Sequence, residues 1–357
     1  MSTHTTDTVA SGVSATRRGL GICLTPLETR REVILHVARR TEDLGYDGFF
    51  LAEGWSQDAA VLLTEIATKT ERITIGTGVL SVWGRTAGTL AMLAASLDEV
   101  SHGRFVLGLG ASSPQLVEGL HDQSFTAPVA KLRAVTAQVR RLLDGERVRP
   151  TATHDHRPLR LGVAARTGLP IHLAGLGDKS IQLAGELADG WTPFLVPRSW
   201  LPCGIDVLEK AGARSGRTTR PVVGPAVPTA VAADQATARE IASWWITFYI
   251  TSMGSLYRRS LSERGYHHQV EAVLAANPTH DTTDVPAAAH VLLDELTVWG
   301  TPDTAHDHLQ HWYTAGAEMP ILTLPPHRTI AELDYMLETM RPHPPHPSGA
   351  AGAAASS

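Results

Sequence analysis

Residues 72–83 read RITIGTGVLSVW, and the fold predicted for the whole chain depends on this stretch. Its β-branched run from Ile73 to Ile75 is typical of a parallel strand that is buried on both faces. Gly76 and Gly78 then interrupt the run where such a strand would end. Glycine at a strand end permits a bulge and lets another molecule approach the main chain closely. Taken alone, the stretch is more typical of an ordinary strand-to-helix turn, and only its repetition along the chain favours a ligand site.

The arrangement does recur, because short apolar runs alternate with segments of helical periodicity. Besides the stretch above, the sequence predicts strands at 20–24, 47–52, 105–110, 171–174, 190–194, 222–231 and 319–324. Residues 234–298 predict helices only. Eight strands alternating with helices describe an α/β fold, a (β/α)8 TIM barrel with a helical insertion between strands 7 and 8. A doubly wound open sheet is disfavoured, since no GxGxxG motif follows the first strand.

Composition divides the chain into one domain and two tails. Residues 1–17 are rich in threonine and serine, and residues 342–357 in proline, glycine, alanine and serine, so both are predicted to be disordered. Residues 18–341 are predicted to form a single barrel domain, with the helical insertion at about 234–298.

Charge and cysteine content exclude several classes of protein. A net charge of −5 and an isoelectric point near 6.4 argue against nucleic-acid and membrane-surface partners. The first residues lack the apolar core of a secretory signal, and no apolar run reaches the ~18–20 residues of a membrane span. Cys23 and Cys203 have no paired spacing, which favours a reducing, cytoplasmic setting. The pair His154 and His156 lies in a polar segment and is interpreted as solvated loop.

In a barrel of this kind the reactive groups collect at the carboxyl ends of the strands. Those ends carry Glu53, Trp55, Gly78, Val79, Gly110 to Ser113, Gly175 to Lys179, and Trp191. Glycine and aromatic residues dominate the set, which suits a flat conjugated ligand lying against exposed backbone. A metal site would need converging histidine and carboxylate ligands, and hydrolysis would need a recognisable nucleophile motif. The sequence predicts neither a metal site nor a hydrolytic one.

A second candidate site is the segment GLGDKS at Gly175 to Ser180, which stands at a strand-to-helix junction. Backbone N–H groups at a helix N-terminus attract phosphate, and Lys179 adds a positive charge. The spacing is not that of a nucleoside-triphosphate loop. Two interpretations remain open here: a phosphate site, or an ordinary helix cap made by Asp178, whose carboxylate would compete for the same donors.

Three segments carry a resemblance to a known family: LGYDGFFLAEGWSQDA (44–59), ERITIGTGVLSVWGRTAGTLAMLAASLDEVSHGRFVLGLGASSPQLVEGLH (71–121) and IHLAGLGDKSIQLAGELADGW (171–191). In order and spacing they resemble the bacterial luciferase-like superfamily. Within it they look like the branch assigned to the deazaflavin cofactor F420, which has FMN users as near relatives. The similarity spans roughly Gly19 to Leu324 and includes FYITSMGSLYRRSLSERGY in the insertion.

The resemblance implies a (β/α)8 barrel with a flavin or deazaflavin across its carboxyl-terminal mouth. It implies a non-prolyl cis peptide at Gly78-Val79 that supports the ring from behind, and a glycine-containing turn at Met253-Gly254 that closes over the site. The residues that it assigns to the cofactor are Glu53, Gly76, Gly78, Val79, Gly110, Ala111, Ser112, Gly175, Leu176, Gly177, Asp178, Lys179, Ser180 and Met253.

Three of the residues at this mouth are candidates for a catalytic role. Glu53 is interpreted as a proton donor or acceptor near the substrate, and otherwise as a buried carboxylate that caps the next helix. Trp55 is interpreted as a wall of the substrate pocket, and otherwise as core packing. Ser112 would hydrogen-bond the ring or the substrate, and otherwise cap a helix. Asp178 stands where relatives often carry proline in G-P-K, and Trp83, another departure, could narrow the substrate pocket.

The resemblance leads to three functional hypotheses. The first is an F420-dependent oxidoreductase that transfers hydride between the deazaflavin and a small organic substrate, reducing C=C or C=N or running the reverse oxidation. The second is an FMNH2-dependent two-component monooxygenase, which would need a flavin reductase as partner. Oxygen consumption separates these two, because deazaflavin forms no C4a hydroperoxide. The third is a non-catalytic flavin-binding relative. A homodimer is expected, since relatives are commonly dimers.

Overall fold

The structure, a computed structural model, describes residues 18–148, 157–279 and 282–342. The predicted tail at 1–17 lies outside the described residues, as does the predicted tail at 342–357 apart from residue 342; His154 and His156 also lie outside them. The strands are β1 (Gly21–Leu24), β2 (Gly48–Leu51), β3 (Thr74–Thr77), β4 (Leu80–Ser81), β5 (Phe105–Gly110), β6 (Ile171–Leu173), β7 (Gly190–Trp191), β8 (Val222–Val223), β9 (Ala226–Val231), β10 (Val298–Gly300) and β11 (Ile321–Leu324).

Helices alternate with these strands. They are α1 (Arg31–Asp43), α2 (Ala59–Ala67), α3 (Ala87–Val100), α4 (Pro114–Gly119), α5 (Pro128–Leu143), α6 (Asp178–Leu187), α7 (Leu201–Arg214), α8 (Gln235–Thr251), α9 (Leu256–Leu261), α10 (His267–Ala276), α11 (Val291–Leu296), α12 (Pro302–Thr314) and α13 (Ile330–Thr339). A kinked segment, Ser262–Tyr266, links α9 to α10, and its backbone leaves helical geometry at Arg264 and Gly265. Several helices have an N-cap side chain that accepts a backbone N–H of the first turn. These N-cap residues are Asp58 for α2, Thr86 for α3 and Asp234 for α8.

The sheet is parallel and closes on itself. Its order is β9-β11-β1-β2-β3-β5-β6-β7-β8, with β4 beside β5 and β10 beside β9. β8 and β9 are successive parts of residues 222–231, of which the first pairs with β7 and the second with β11. A parallel bridge from Phe194 to Ala226 completes the closure. Counted with β8 and β9 as one segment, the barrel positions are β1, β2, β3, β5, β6, β7, β8–β9 and β11. The predicted (β/α)8 barrel is confirmed.

Side chains along each strand point alternately to the outside and to the inside of the barrel, so the protein has one core outside the sheet and one inside it. Outward side chains such as Ile22, Phe49 and Leu107 pack against the helices. Cys23, Phe50, Val106 and Ile321 form a separate cluster inside the barrel. The ring of Phe50 fits into this interior because glycines of β1, β2 and β3 lie around it. A Cβ atom would approach that ring to 3.3 Å at Gly21, 2.8 Å at Gly48 and 2.7 Å at Gly76.

The insertion differs from its prediction at its end. Residues 234–298 were expected to be helical throughout, yet α11 ends at Leu296 and Val298 begins β10. β10 pairs in parallel with Thr229–Val231, so it occupies the free edge that the carboxyl half of β9 would otherwise present. Three residues are too few to show a strand periodicity, which is why the sequence did not reveal it.

His172 on β6 makes stability depend on pH. Its ring lies over Gly190, where a Cβ would be only 2.5 Å away, and burial lowers the pKa of the imidazole from 6.5 to about 4. Between those two values the unfolded chain binds a proton that the folded chain does not. The free energy of unfolding is therefore expected to fall by about 2.5 kcal/mol as the pH drops from 6.5 to 4. Urea unfolding at several pH values in this range measures the change. His172→Gln should make the free energy of unfolding depend less on pH. If the pH dependence stays the same, another group is responsible for it.

Candidate active site

The centre of the candidate site is the bulge between β3 and β4, where the peptide bond from Gly78 to Val79 is cis. This confirms the geometry that the resemblance implies for these two residues. The bulge is held against β2, because Gly78 N–H donates to the Leu51 carbonyl at 2.9 Å and Glu53 N–H to the Val79 carbonyl at 3.4 Å. It therefore has a fixed position at the carboxyl end of the barrel.

Two glycines of β5 let the bulge approach closely. A Cβ on Gly108 would lie 2.0 Å from the Thr77 carbonyl oxygen, and one on Gly110 would lie 2.7 Å from Val79 Cγ2. In addition, Gly108 N–H donates to Thr77 Oγ1, and Thr77 Oγ1 donates to the Gly108 carbonyl, both at 2.8 Å. The pattern FVLGLG is thus required by the packing of the bulge on β5.

The segment that follows β5 is held in place by Trp83. Trp83 Nε1 donates to the Ala111 carbonyl at 2.9 Å, and the indole is buried against Phe125, with ring centroids 5.8 Å apart. Ser112 has a positive φ of 65°, which serine rarely adopts. The next residue, Ser113, is the N-cap of α4, so the alternative role of Ser112 as a helix cap is wrong. In this structure Trp83 therefore positions the Ala111 carbonyl.

Glu53 lies in a partly buried ion pair. Arg85 Nη1 is 2.5 Å from Glu53 Oε1 and Arg85 Nη2 is 2.8 Å from Oε2, while Arg85 Nη2 also reaches Asp58 Oδ2 at 2.6 Å. The side chains of Glu53 and Arg85 are only 11% and 13% exposed. The pairing raises the pKa of Arg85 still further, so its charge is permanent. Glu53 Oε2 also accepts the first N–H of α2, from Ala59, at 3.0 Å. The contacts of Glu53 in this structure are therefore those of a buried carboxylate that caps α2. The catalytic role of Glu53 stays a prediction.

Trp55, in the loop before α2, is 48% exposed. Core packing is therefore excluded as the reason for this tryptophan, and its role as a pocket wall stays a prediction.

The segment from Gly175 to Ser180 forms a loop that leads into α6. Trp191 Nε1 donates to the Gly175 carbonyl at 3.0 Å, and Ser180 Oγ donates to the Gly177 carbonyl at 2.7 Å. Gly177 is the N-cap of α6 and no side chain caps the helix, so the alternative in which Asp178 makes the cap is wrong. Among the described residues no group accepts the N–H of Leu176 or Gly177. Because the first N–H groups of a helix also lack partners, this donor set fits a phosphate.

The turn at Met253 and Gly254 lies beside the segment that follows β5. Gly254 has a φ of 74°, and a Cβ there would be 2.4 Å from Gln115 Nε2 in the first turn of α4. The insertion thus approaches the chain three residues beyond Ser112, which is one of the residues that the resemblance assigns to the cofactor.

The sequence did not single out the aromatic residues that the insertion contributes. The ring centroids of Phe194 and Tyr249 are 4.8 Å apart, those of Tyr249 and Tyr257 are 5.1 Å apart, and both pairs meet edge to face. Burial raises the pKa of Tyr257 to about 12 and that of the Cys23 thiol, inside the barrel, to about 12. The repeated aromatic residues in FYITSMGSLY were the available signal.

Arg264 was also missed. It lies in the kinked segment between α9 and α10 and donates to the carbonyl of Leu176, 88 residues away in the chain. In the part of the chain that the structure describes, no group of three or more histidine, cysteine or carboxylate residues could hold a metal ion. No helix of that same part is long and apolar enough to cross a membrane.

Known proteins share sequence and fold with this chain. A family model described as luciferase-like monooxygenase matches residues 11–319. The chain is 32% identical, over 79% of its own length and 88% of the other, to a Mycobacterium tuberculosis protein provisionally named as a coenzyme F420-dependent oxidoreductase.

Solved structures show the same fold. The coenzyme F420-dependent tetrahydromethanopterin reductase of Methanopyrus kandleri superposes with a TM-score of 0.72 at 17% identity, covering 91% of this chain and 98% of that one. The FMN complex of the oxygenating constituent of 3,6-diketocamphane monooxygenase, a type II Baeyer-Villiger monooxygenase of Pseudomonas putida, superposes with a TM-score of 0.67 at 16% identity, covering 91% and 97%.

Proposed function

The chain belongs to the luciferase-like monooxygenase family, and on that premise we propose that it is an F420-dependent oxidoreductase. It transfers hydride between F420 and a small organic substrate, either reducing a C=C or C=N bond or running the reverse oxidation. The relative named for coenzyme F420 supports this assignment, because it aligns over 88% of its own length.

The observation that carries the proposal is a pair of features at the carboxyl ends of β3 and β6. The cis bulge at Gly78-Val79 presents backbone that is packed on Gly108 and Gly110, and a flat ring can lie against it. The N–H groups after β6 are free to bind a phosphate. β5 separates the two in the sheet order, so one extended ligand can reach both.

F420 would supply the hydride chemistry, and the protein would position its ring and its substrate. We assign the ring to Gly76, Gly78, Val79 and the segment from Gly110 to Ser112, and the phosphate to the segment from Gly175 to Ser180. Met253 would close the site from the insertion. The aromatic side chains Phe194, Tyr249 and Tyr257 would exclude water from the substrate side.

Three residues would act on the substrate side. Trp55 would form a wall, and Ser112, with its unusual backbone conformation, would direct a hydroxyl to the ring or substrate. Glu53 would exchange a proton with the substrate. For that step its carboxylate would have to exchange a contact with Arg85 for one with the substrate. If Glu53→Gln turns over the substrate at the wild-type rate, this assignment is wrong.

FMN is the second candidate cofactor, because a fold neighbour is an FMN-bound Baeyer-Villiger monooxygenase and the same ring and phosphate contacts fit FMN. Such an enzyme would use reduced FMN and oxygen and would depend on a flavin reductase. A non-catalytic relative is less well supported, since the described chain keeps every barrel position. A homodimer and a cytoplasmic location remain predictions.

Cofactor titration tests the proposal. Purified protein is titrated with F420 and with FMN, each oxidised and reduced, while cofactor fluorescence is followed. We expect micromolar or tighter binding of F420 and weaker binding of FMN. The reverse preference, together with oxygen uptake in the presence of a flavin reductase, would make the protein a monooxygenase. If neither cofactor binds, the site is wrongly assigned.

A further inference from the structure

Arg264 connects the insertion to the loop that precedes α6. Its guanidinium donates to the Leu176 carbonyl and, through Nη1, to the Ser260 carbonyl at 2.7 Å and Ser260 Oγ at 2.5 Å. It stacks on the Trp200 ring, 4.0 Å from the centroid. Its Nε is buried and has no hydrogen-bond partner among the described residues. Three contacts from three segments therefore fix the guanidinium.

The contact with Leu176 decides where the next amide points. In a trans peptide the C=O and N–H bonds point in opposite directions. Since the Leu176 carbonyl points toward Arg264, the Gly177 N–H points away from it, and no described group accepts that N–H. The Gly177 N–H is thus a donor without a described partner at the start of α6. It lies next to the N–H of Asp178, which also has no described acceptor, and to the charge of Lys179.

The charge of Arg264 also compensates for an unusual residue of this loop, Asp178. Asp178 stands where the resemblance expects proline, and its carboxylate would repel a phosphate bound at the same N-terminus. Asp178 interacts electrostatically with Arg264, while burial lowers the pKa of the guanidinium without removing its charge. A fixed cation beside the loop offsets the added anion.

We propose that Arg264 is a positioning residue that makes this protein select phosphorylated flavin or deazaflavin cofactors over their dephosphorylated forms. It orients the peptide between Leu176 and Gly177 through its hydrogen bond to the Leu176 carbonyl, and it places a fixed positive charge near the carboxylate of Asp178. The inference rests on the proposed function, because it assumes that the phosphate of the cofactor binds at this loop.

The test compares binding of matched cofactor pairs by fluorescence titration. F420 is compared with the deazaflavin riboside that lacks the phosphoryl group, and FMN is compared with riboflavin. Arg264→Gln is expected to weaken binding of each phosphorylated form ~10- to 100-fold, the size of a lost charge-assisted contact, with little change for its dephosphorylated partner. Arg259→Gln removes an exposed arginine of α9 and should leave all four affinities unchanged.

Two further variants separate orientation from charge. Arg264→Lys keeps the charge without the planar fork, and it should bind the phosphorylated forms more weakly than wild type. Asp178→Asn should tighten their binding ~2- to 5-fold by removing a repulsive charge.

Three results would overturn the proposal. An equal loss for phosphorylated and dephosphorylated forms in Arg264→Gln would mean that the residue only supports the fold. Wild-type affinity in Arg264→Lys would mean that charge alone suffices. No loss in Arg264→Gln would exclude both roles. Each result is read in variants whose thermal unfolding stays cooperative. Failure of the proposed function differs from all three. Wild-type protein would then either bind none of the four compounds or prefer FMN to F420, and in the second case the comparison of FMN with riboflavin still tests Arg264.

Discussion

Replacing Gly108 with alanine is expected to lower the free energy of unfolding by about 3 kcal/mol or more and to weaken cofactor binding. The new Cβ would lie 2.0 Å from the Thr77 carbonyl oxygen, which is backbone and cannot turn away as a side chain would. β3 and β5 must then separate, at the cost of overpacking and of the two hydrogen bonds that join Thr77 to Gly108. Urea unfolding measures the first effect and cofactor titration the second.

Two other glycines provide matched controls for Gly108. Gly119 has no atom within 4 Å of its would-be Cβ, so Gly119→Ala should change stability by less than about 1 kcal/mol. Gly185 would place a Cβ 2.3 Å from the Leu208 carbonyl, where α6 packs on α7. Gly185→Ala should therefore destabilise the protein without changing the site at the bulge. If Gly108→Ala and Gly185→Ala weaken cofactor binding equally, the bulge has no special role in binding.

Replacing Arg85 with methionine is expected to cost about 3 kcal/mol of stability. It would leave the carboxylate of Glu53, which is 11% exposed, with only the Ala59 N–H as a described partner. A partly buried charge that loses its partner is far more costly than an exposed one. Lys210, which pairs with Asp206 on the surface of α7 with both side chains more than half exposed, is the control. Lys210→Met should cost less than about 1 kcal/mol.

A double-mutant cycle isolates the pair itself. Glu53→Gln combined with Arg85→Met removes both charges, so it should cost less than the sum of the single changes, by ~1–3 kcal/mol. Additive losses would show that the two side chains stabilise the protein independently and that the ion pair contributes nothing of its own.

The fold could be predicted from the sequence because most barrel strands are buried on both faces. Such strands appear as short apolar runs, and helices with an apolar face separate them. β10 was missed because Val298–Gly300 is three residues long and owes its conformation to the edge of β9. The division of residues 222–231 was missed for the same reason, since it depends on which neighbour each half meets.

The candidate site was predictable only where it consists of backbone. Gly78 and Gly110 stand out in the sequence as glycines at strand ends, and a Cβ on Gly110 would lie only 2.7 Å from Val79 Cγ2. Arg85 and Arg264 gave no such signal, since a single arginine in a loop or turn has many possible partners. Arg85 is 32 residues from Glu53, and Arg264 is 88 residues from Leu176. Only the closed barrel shows which carbonyl or carboxylate each guanidinium meets.

The pairing of β1 with β11 has a consequence for how the chain assembles. Gly21 lies opposite Ile321, so the two ends of the barrel sequence form one hydrogen-bonded ladder. During synthesis the edge of β1 has no partner until residues 321–324 leave the ribosome. Contacts between such distant residues form slowly, and an open parallel edge invites association with other chains. That edge of β1 is therefore expected to stay unpaired until nearly all of the barrel has been synthesised.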